Sequence, residues 1–269
     1  MQADPRNRGF TWPERRGPFR VVTDAQAEQW NRDGYFLMEG ALDPALVDDL
    51  AAEIDPYEEK LTAALMETED GRIGISRAAE ITFTIHLVKK SEKLKAFTTS
   101  KLFAELCLDL IGDSACLYWD QAVYKKPETP MEFPWHQDNG YTFVEPQDYL
   151  TCWVPLMDTT IQNGCPWVMP GVHRGGTLRH WQTPHGLECL ESGEGAVAVP
   201  AKKGDIVVFS SLTPHRTGPN LSDGMRKAYI VQYSHDNAVA YPRPDAKELF
   251  KPDPTRQFIV ARDGEPVFT

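Results

Sequence analysis

Glu132-Phe133-Pro134-Trp135-His136-Gln137-Asp138-Asn139-Gly140, answered far downstream by Pro214-His215-Arg216-Thr217-Gly218, decides how this 269-residue chain is read. Pro134 and Gly140 bracket a short extended piece. In an extended chain, residues i and i+2 project from one face, so the His136 imidazole and the Asp138 carboxylate stand side by side. A strand much later in the sequence brings a second imidazole, His215. Just before it, Lys203-Gly204-Asp205 reads as a turn and Ile206-Val207-Val208-Phe209 as a buried strand. His215 then falls at the mouth of a β-structure, a natural place for a third ligand. HxD alone is weak evidence, because such pairs arise by chance and a strand histidine is often just a satisfied polar residue.

Working outward, the stretch after Ala115 consists of short apolar runs between Pro, Gly and Asn clusters. The runs lie near 115–124, 149–157, 166–169, 196–199, 205–210 and 226–234. Many short strands with turn signals and little helix predict a sandwich or jelly roll. The preceding part has a different texture. Residues 1–22 read as an irregular arm. Thr23 or Asp24 caps a helix to about Asp33, and Gly34 to Leu37 reads as a short strand. Asp43 caps a longer helix with Leu46, Leu50, Ile54 and Leu61 near helical spacing. Residues 67–80 are charged and Gly-containing and read as a loop, with Glu67 to Arg77 a candidate lid. Ile81 to Val88 reads as a strand, and Ser91 to Leu110 as one or two helices. No internal repeat or low-complexity stretch is present.

Composition narrows the classes. Hydrophobic residues make up 41% and charged residues 25%, ordinary for a globular protein with a substantial core. The net charge of -11 lacks the basic stripe that nucleic acid requires and gives no general attraction for an anionic substrate. The partner expected is a small molecule rather than nucleic acid or membrane, since no apolar run approaches the length of a membrane span. Oligomeric state is not legible. Cys107, Cys116, Cys152, Cys165 and Cys189 are odd in number and contain no CxxC pair, so neither a disulfide framework nor a zinc ribbon is indicated. Reduced, packed thiols in the cytoplasm are the plain reading. The polar N-terminus carries no signal-peptide core.

Two histidines and one carboxylate on one face of a metal are the ligand set of non-haem Fe(II) oxygenases, which keep other coordination positions open. Arg226 follows His215 by eleven residues, after the turn-like Asn220-Leu221-Ser222-Asp223-Gly224. A hairpin there turns the guanidinium inward, where it suits a bidentate grip on a carboxylate. Thr217, two past His215, offers a hydroxyl on the same side. Judged alone, Arg226 beside Lys227 reads as a surface residue. The histidine–carboxylate set favours the inward placement.

With these residues in place, the chain resembles the Fe(II)/2-oxoglutarate oxygenases, and more closely the phytanoyl-CoA dioxygenase family. The resemblance covers roughly residues 25–235. It rests on Asp120 to Pro127, on Trp135 to Asn139, on Asn163 to His173, and on the distal His215 and Arg226. Val172 departs from the Ser usual in the family's PGSH-like segment. The resemblance implies a mainly β fold with flanking helices, a double-stranded β-helix (jelly roll, cupin-like). It implies Fe(II) held by His136, Asp138 and His215, with 2-oxoglutarate and O₂ as co-substrates. Arg226 and Thr217 hold the distal carboxylate, and Gln137 and Trp153 match positions lining that pocket. Related halogenases carry a small residue in place of the carboxylate, so Asp138 favours oxygenation. The implied organisation is an arm over 1–22, one dioxygenase domain over 23–241, and a tail over 242–269 packed on it. The domain divides into a helical buttress, 23–112, and a jelly-roll core, 113–241.

Gln121, Asn139 and Tyr141 flank the metal strand and are candidate substrate contacts, with Tyr118 and Trp119 beside them. Aromatic strand residues are nonetheless core more often than not. His173 reads as a loop-ordering residue, and His86, His180, His185 and His235 lack ligand spacing. Lys89, Lys90, Lys125 and Lys126 could meet an anion, but a solvated charged face explains them equally well. The function expected is hydroxylation of a small organic substrate with release of succinate and CO₂. The rivals are a cupin-like metalloenzyme without 2-oxoglutarate and a non-catalytic jelly-roll binding protein.

Overall fold

Alternation along four long strands sorts the side chains into two cores. In Arg226–His235, Tyr229, Val231 and Tyr233 pack on one side, and Ala228 and Ile230 on the other. In Ile206–Ser210, Ile206 and Val208 oppose Val207 and Phe209. In Leu150–Pro155, Leu150, Cys152 and Val154 oppose Trp153, and in Ala115–Lys125, Ala122 and Tyr124 oppose Val123. One core lies between this sheet and the helices. The other lies between this sheet and a second, smaller one.

The computed structural model describes residues 1–241 and 252–267. The ten-stranded sheet runs, by residue, 35–38, 206–210, 150–155, 226–235, 115–125, 81–85, 76–77 and 72–73, with 259–262 pairing the start of 115–125. The four-stranded sheet runs 197–198, 166–168, 215–217 and 133–136. All the pairings are antiparallel, and the fold is the mainly β jelly roll expected.

The helices back the larger sheet. Thr23 caps Asp24–Asp33 in a reciprocal box with Gln26, and Gly34 ends it in the left-handed conformation. Asp43 caps Pro44–Met66. Its inward face is Val47, Leu50, Ile54, Glu58 and Leu65; Leu46 is exposed, so the true stripe begins one residue later than its sequence spacing suggests. Ser91 to Leu110 forms two helices, Glu92–Thr98 and Lys101–Leu110.

Three expectations need correction. The 67–80 stretch is not purely loop, because Arg72–Ile73 and Ser76–Arg77 form a small hairpin at the sheet edge. The strand from Ile81 stops at Ile85, where His86 takes a left-handed φ of 56° and a short 3₁₀ turn, Leu87–Lys89, follows. The tail, expected to pack on the domain, also enters its core. Val260 and Ala261 are buried within the strand Ile259–Arg262, while Pro242 and Pro244 lie outside the described residues.

Asp120 fixes the break at His86. Its buried Oδ2 accepts from Leu87 N (2.7 Å), Val88 N (3.2 Å) and the Tyr229 hydroxyl (3.0 Å). Asp120→Ala strands three buried donors, and a loss of roughly 3–5 kcal/mol in denaturant unfolding is expected. A loss under about 1 kcal/mol would show that this carboxylate does not hold the turn.

Candidate active site

His136 ends the strand Phe133–His136, and His215 opens the strand His215–Thr217; the two residues pair directly across the small sheet. Each Nδ1 meets a backbone carbonyl, His136 with Pro134 (2.8 Å) and His215 with Thr213 (3.0 Å). A carbonyl can only accept, so both Nδ1 atoms carry the proton and both Nε2 lone pairs face forward. Each Nε2 lies 3.8 Å from Asp138 Oδ1. The three ligand atoms lie within 4.8 Å of one another, a group that could hold a metal ion.

Asp138 reaches that position by a route the HxD spacing does not describe. The strand stops at His136, and Asp138 begins a single helical turn, Asp138–Tyr141. His180 locks the turn: its Nε2 accepts from Gln137 N (2.9 Å) and its Nδ1 donates to Leu178 O (2.9 Å). The ring packs so closely over Gly140 that a Cβ there would come within 2.1 Å of it. The second oxygen of Asp138 accepts from the Thr151 hydroxyl (2.6 Å), which in turn accepts from Gln232 Nε2 (3.3 Å). Oδ1 is thereby left for the histidine side.

Burial pushes His136 down to about 3 and His215 down to about 4, so both rings are neutral at physiological pH. Burial raises the Asp138 carboxyl, opposed by His136 and by the hydrogen bonds. Neutral imidazoles beside a carboxylate do not form an ion pair, but they are the protonation state that metal ligation requires.

A second cluster lies on the inner face of the large sheet. Arg226 is fully buried, and its Nη1 donates to Val123 O (3.1 Å). Its Nε and Nη2 have no partner among the described residues, and its guanidinium stands 5.6 Å over the Trp153 ring. Burial pulls Arg226 down to about 10, which leaves it charged. Lys125, its partner across the sheet, is also fully buried. Lys125 Nζ donates to Gly218 O (2.6 Å), Met131 O (3.2 Å) and Thr217 Oγ1 (3.3 Å). Among the described residues neither basic side chain has a carboxylate partner. Burial and the neighbouring Arg226 pull the Lys125 amine well below its usual range, so Arg226, with Nε and Nη2 unpartnered, is the cation that fits an incoming carboxylate.

The sequence left Lys125, with Lys89, Lys90 and Lys126, equally open to an anion contact and to a solvated charged face, and did not pair it with Arg226. The signal was strand parity: Gln121, Val123 and Lys125 share the face opposite Ala122 and Tyr124. Thr151, Gln232 and His180 were also missed as supports, because nothing local ties them to the HxD stretch. Two expected residues do not reach the site. Gln137 is buried, and its amide is used on backbone: Nε2 donates to Leu212 O (2.5 Å) and Gly176 O (3.1 Å), and Oε1 accepts from Leu178 N. It points away because it alternates with His136. Asn139 is buried between Thr177 Oγ1 and Val144 N and orders the helical turn. His173 orders its loop by packing edge-on to Trp12 at 4.4 Å rather than through a ring hydrogen bond.

Two cavities meet at the triad. A tight one of about 60 Å³ is lined by His136, Asp138, His215, Thr217 and Trp153, and the last two contact Lys125 and Arg226 respectively. A roomier one of about 280 Å³ adjoins it, sharing Phe83, Gln121, Phe133, His136 and Asp138, and adds Tyr118, Trp119, Tyr141, Tyr149 and Gln232.

A jelly roll with a His–Asp–His face is the scaffold class of the non-haem iron oxygenases. The chain belongs to the phytanoyl-CoA dioxygenase (PhyH) family, which matches residues 30–228. It is 27% identical to an Arabidopsis thaliana phytanoyl-CoA dioxygenase over 61% of this chain, and that match spans only 60% of the plant protein's length. It is 26% identical to the methylphosphonate hydroxylase of Gimesia maris, over 88% of each chain. In fold it resembles the non-haem α-ketoglutarate-dependent carbocyclase SnoK of nogalamycin biosynthesis. That likeness has a TM-score of 0.70 at 19% identity and covers 90% of this chain and 97% of the other.

The lowered histidines set an acid limit. Unfolded histidine takes up a proton near pH 6.5, and these two rings do not until far lower. Their contribution is therefore complete above about pH 6.5 and is lost as pH falls through the interval down to the folded values. In EDTA, unfolding at pH 5 should cost up to about 2 kcal/mol less per ring than at pH 7. His136→Asn combined with His215→Asn should flatten the profile; an unchanged profile in that variant would contradict neutral rings.

Proposed function

We propose that this protein is an Fe(II)- and 2-oxoglutarate-dependent oxygenase that hydroxylates a small organic substrate. One observation carries the reading. A His–Asp–His face opens on a small cavity whose wall includes Trp153 and Thr217, and these two residues contact the buried Arg226 and Lys125 behind it, as a 2-oxo dicarboxylate would need.

His136 Nε2, His215 Nε2 and Asp138 Oδ1 would hold the iron. The donor set fits, since both imidazoles are neutral with bare Nε2 atoms and Thr151 keeps one carboxylate oxygen directed inward. Bound iron, with 2-oxoglutarate and O₂, supplies the oxidant for a C–H bond, and succinate and CO₂ are released.

The chain's own residues do the remaining work. Arg226 Nε and Nη2 offer a fork to the distal carboxylate, and the Thr217 hydroxyl adds a donor. Lys125 donates to Thr217 Oγ1 and Gly218 O and so holds that edge of the site in place. The Trp153 ring lies beneath the guanidinium, with 5.6 Å between Cζ and the ring centre. Phe209 packs 4.4 Å from the His215 ring and Phe133 4.9 Å from His136, so apolar surface excludes water around both ligands. The presence of Asp138, rather than a small residue, supports oxygen transfer over halogenation. The hydroxylase name of the Gimesia maris relative supports the same outcome. The free, buried state of all five cysteines supports a reducing compartment such as the cytoplasm. No helix among the described residues is long and apolar enough to cross a membrane.

The cupin-like and binding-scaffold readings leave Arg226 and Lys125 buried without a purpose. They are separated by anaerobic titration with Fe(II) and then 2-oxoglutarate, watching for the visible charge-transfer band of the chelate. Arg226→Ala should weaken 2-oxoglutarate binding roughly a hundredfold while Fe(II) affinity stays within a few-fold. A wild-type protein that binds Fe(II) but forms no band would overturn the reading.

Thr151→Val removes the donor to Asp138 and leaves its volume filled. Metal affinity should fall about 10–100-fold and recover in Thr151→Ser. Competition with a metal-sensitive dye measures this independently of turnover. Equal affinities in Val and Ser variants would remove Thr151 from the account.

A further inference from the structure

The 280 Å³ cavity, which meets the triad at His136 and Asp138, has a chemistry unlike that around the buried Arg226. Its wall is aromatic: Phe83, Tyr118, Trp119, Phe133, Tyr141 and Tyr149. No Lys or Arg lines it among the described residues. The only charged side chain in the lining is Asp138, which is turned to the histidines. A β-bulge where Gln232 and Tyr233 face Trp119 and Leu117 leaves Tyr118 as the extra residue, so Tyr118 and Trp119 both reach the wall.

Two amides supply the polarity. Gln121 Oε1 accepts from Trp119 Nε1 (3.3 Å), which leaves the Gln121 NH₂ free to donate. Gln232 Nε2 donates to Thr151, which leaves the Gln232 carbonyl free to accept. An anionic group placed here would, at a large cost, lose its water and find no cation among the described lining residues, because the nearby Arg256 stands behind Trp119 and is already paired with Asp253. A cation finds the strongest ring already occupied, because Arg256 lies 5.4 Å over Trp119 and is itself held by Asp253 and Tyr118 O. The volume falls at the lower end of small-ligand sites, which run from about 300 to 1,000 Å³.

We infer that the substrate portion seated beside the metal is an uncharged cyclic or aromatic group bearing a hydroxyl or carbonyl, held by ring packing and by Gln121 and Gln232. This rests on the oxygenase reading above, and it excludes a carboxylate, phosphonate or ammonium group from the cavity itself.

The test uses three probes of one shape: 2-naphthol, 2-naphthoate and 2-naphthylmethylammonium. Each is titrated anaerobically into the full chain loaded with Fe(II) and 2-oxoglutarate, with the charge-transfer band and tryptophan fluorescence as readouts. 2-Naphthol should bind at least tenfold more tightly than either charged probe. Ile75→Arg places a cation on the cavity lining outside the metal and co-substrate machinery, and it should tighten 2-naphthoate at least tenfold. Tighter wild-type binding of the carboxylate or the ammonium overturns the inference, as does the absence of any response to 2-naphthol at millimolar concentration. The band formed by 2-oxoglutarate before any probe is added reports separately on the oxygenase reading. A band with the wrong probe preference sinks only the substrate class.

Discussion

The strand Arg226–His235 lies between Leu150–Pro155 and Ala115–Lys125, and its register with both neighbours governs the site. Its period of two sends Tyr229, Val231 and Tyr233 to the helices and Arg226, Ala228, Ile230 and Gln232 to the inner face. A slip by one residue would exchange those sets and put Lys227, now paired with Asp55 on the helix side, into the cavity. The bulky aromatics on the helix side set the register. Tyr229 is tied to Asp120 and Tyr233 to Thr98 O, so a slip would break hydrogen bonds as well as packing. Polar function on the inner face is therefore held in place by apolar packing on the outer one.

The same parity explains how much the sequence disclosed. His136, His215 and Arg226 were legible because short turns flank them and strand alternation has few solutions there. Asp138 was legible for an incomplete reason. The alternation argument put it beside His136, whereas the chain turns into a helix at that residue. The two arguments agree only on which side the carboxylate faces. Gln137 was placed at the pocket by the family resemblance and Asn139 by its position beside the metal strand, although alternation with His136 already turns both to the opposite face. Once Asp138 begins a turn, its neighbours serve the backbone of the turn and not the pocket.

Residues that act across long sequence separations were the illegible part. His180 reaches Gln137 over 43 residues, and Thr151 reaches Asp138 over 13. Neither has a local spacing rule, because their contact depends on how two sheets face each other rather than on the period of either strand. Gly140 carried a trace of the first contact: a glycine beside a metal strand signals close approach, though not of what. Lys125 was readable in principle. Its parity with Val123 was visible, but a lysine beside Lys126 suggests solvent. The structure splits the pair, with Lys126 bound to Glu58 on the helix side and Lys125 turned inward.

The electrostatic arrangement follows from putting different demands on two cavities that share one metal face. In the reading proposed above, a dicarboxylate co-substrate is held by its remote end without crowding the metal, and burying Arg226 makes that end favourable only when a carboxylate is present. The price is a buried guanidinium with two unpartnered nitrogens, which the Val123 carbonyl partly offsets. A further cation in the larger cavity would compete for the same dicarboxylate and risk reversing its orientation. The aromatic lining there avoids that competition. Under that reading the two adjoining cavities take different ligands, and the His–Asp–His face lies where their linings overlap.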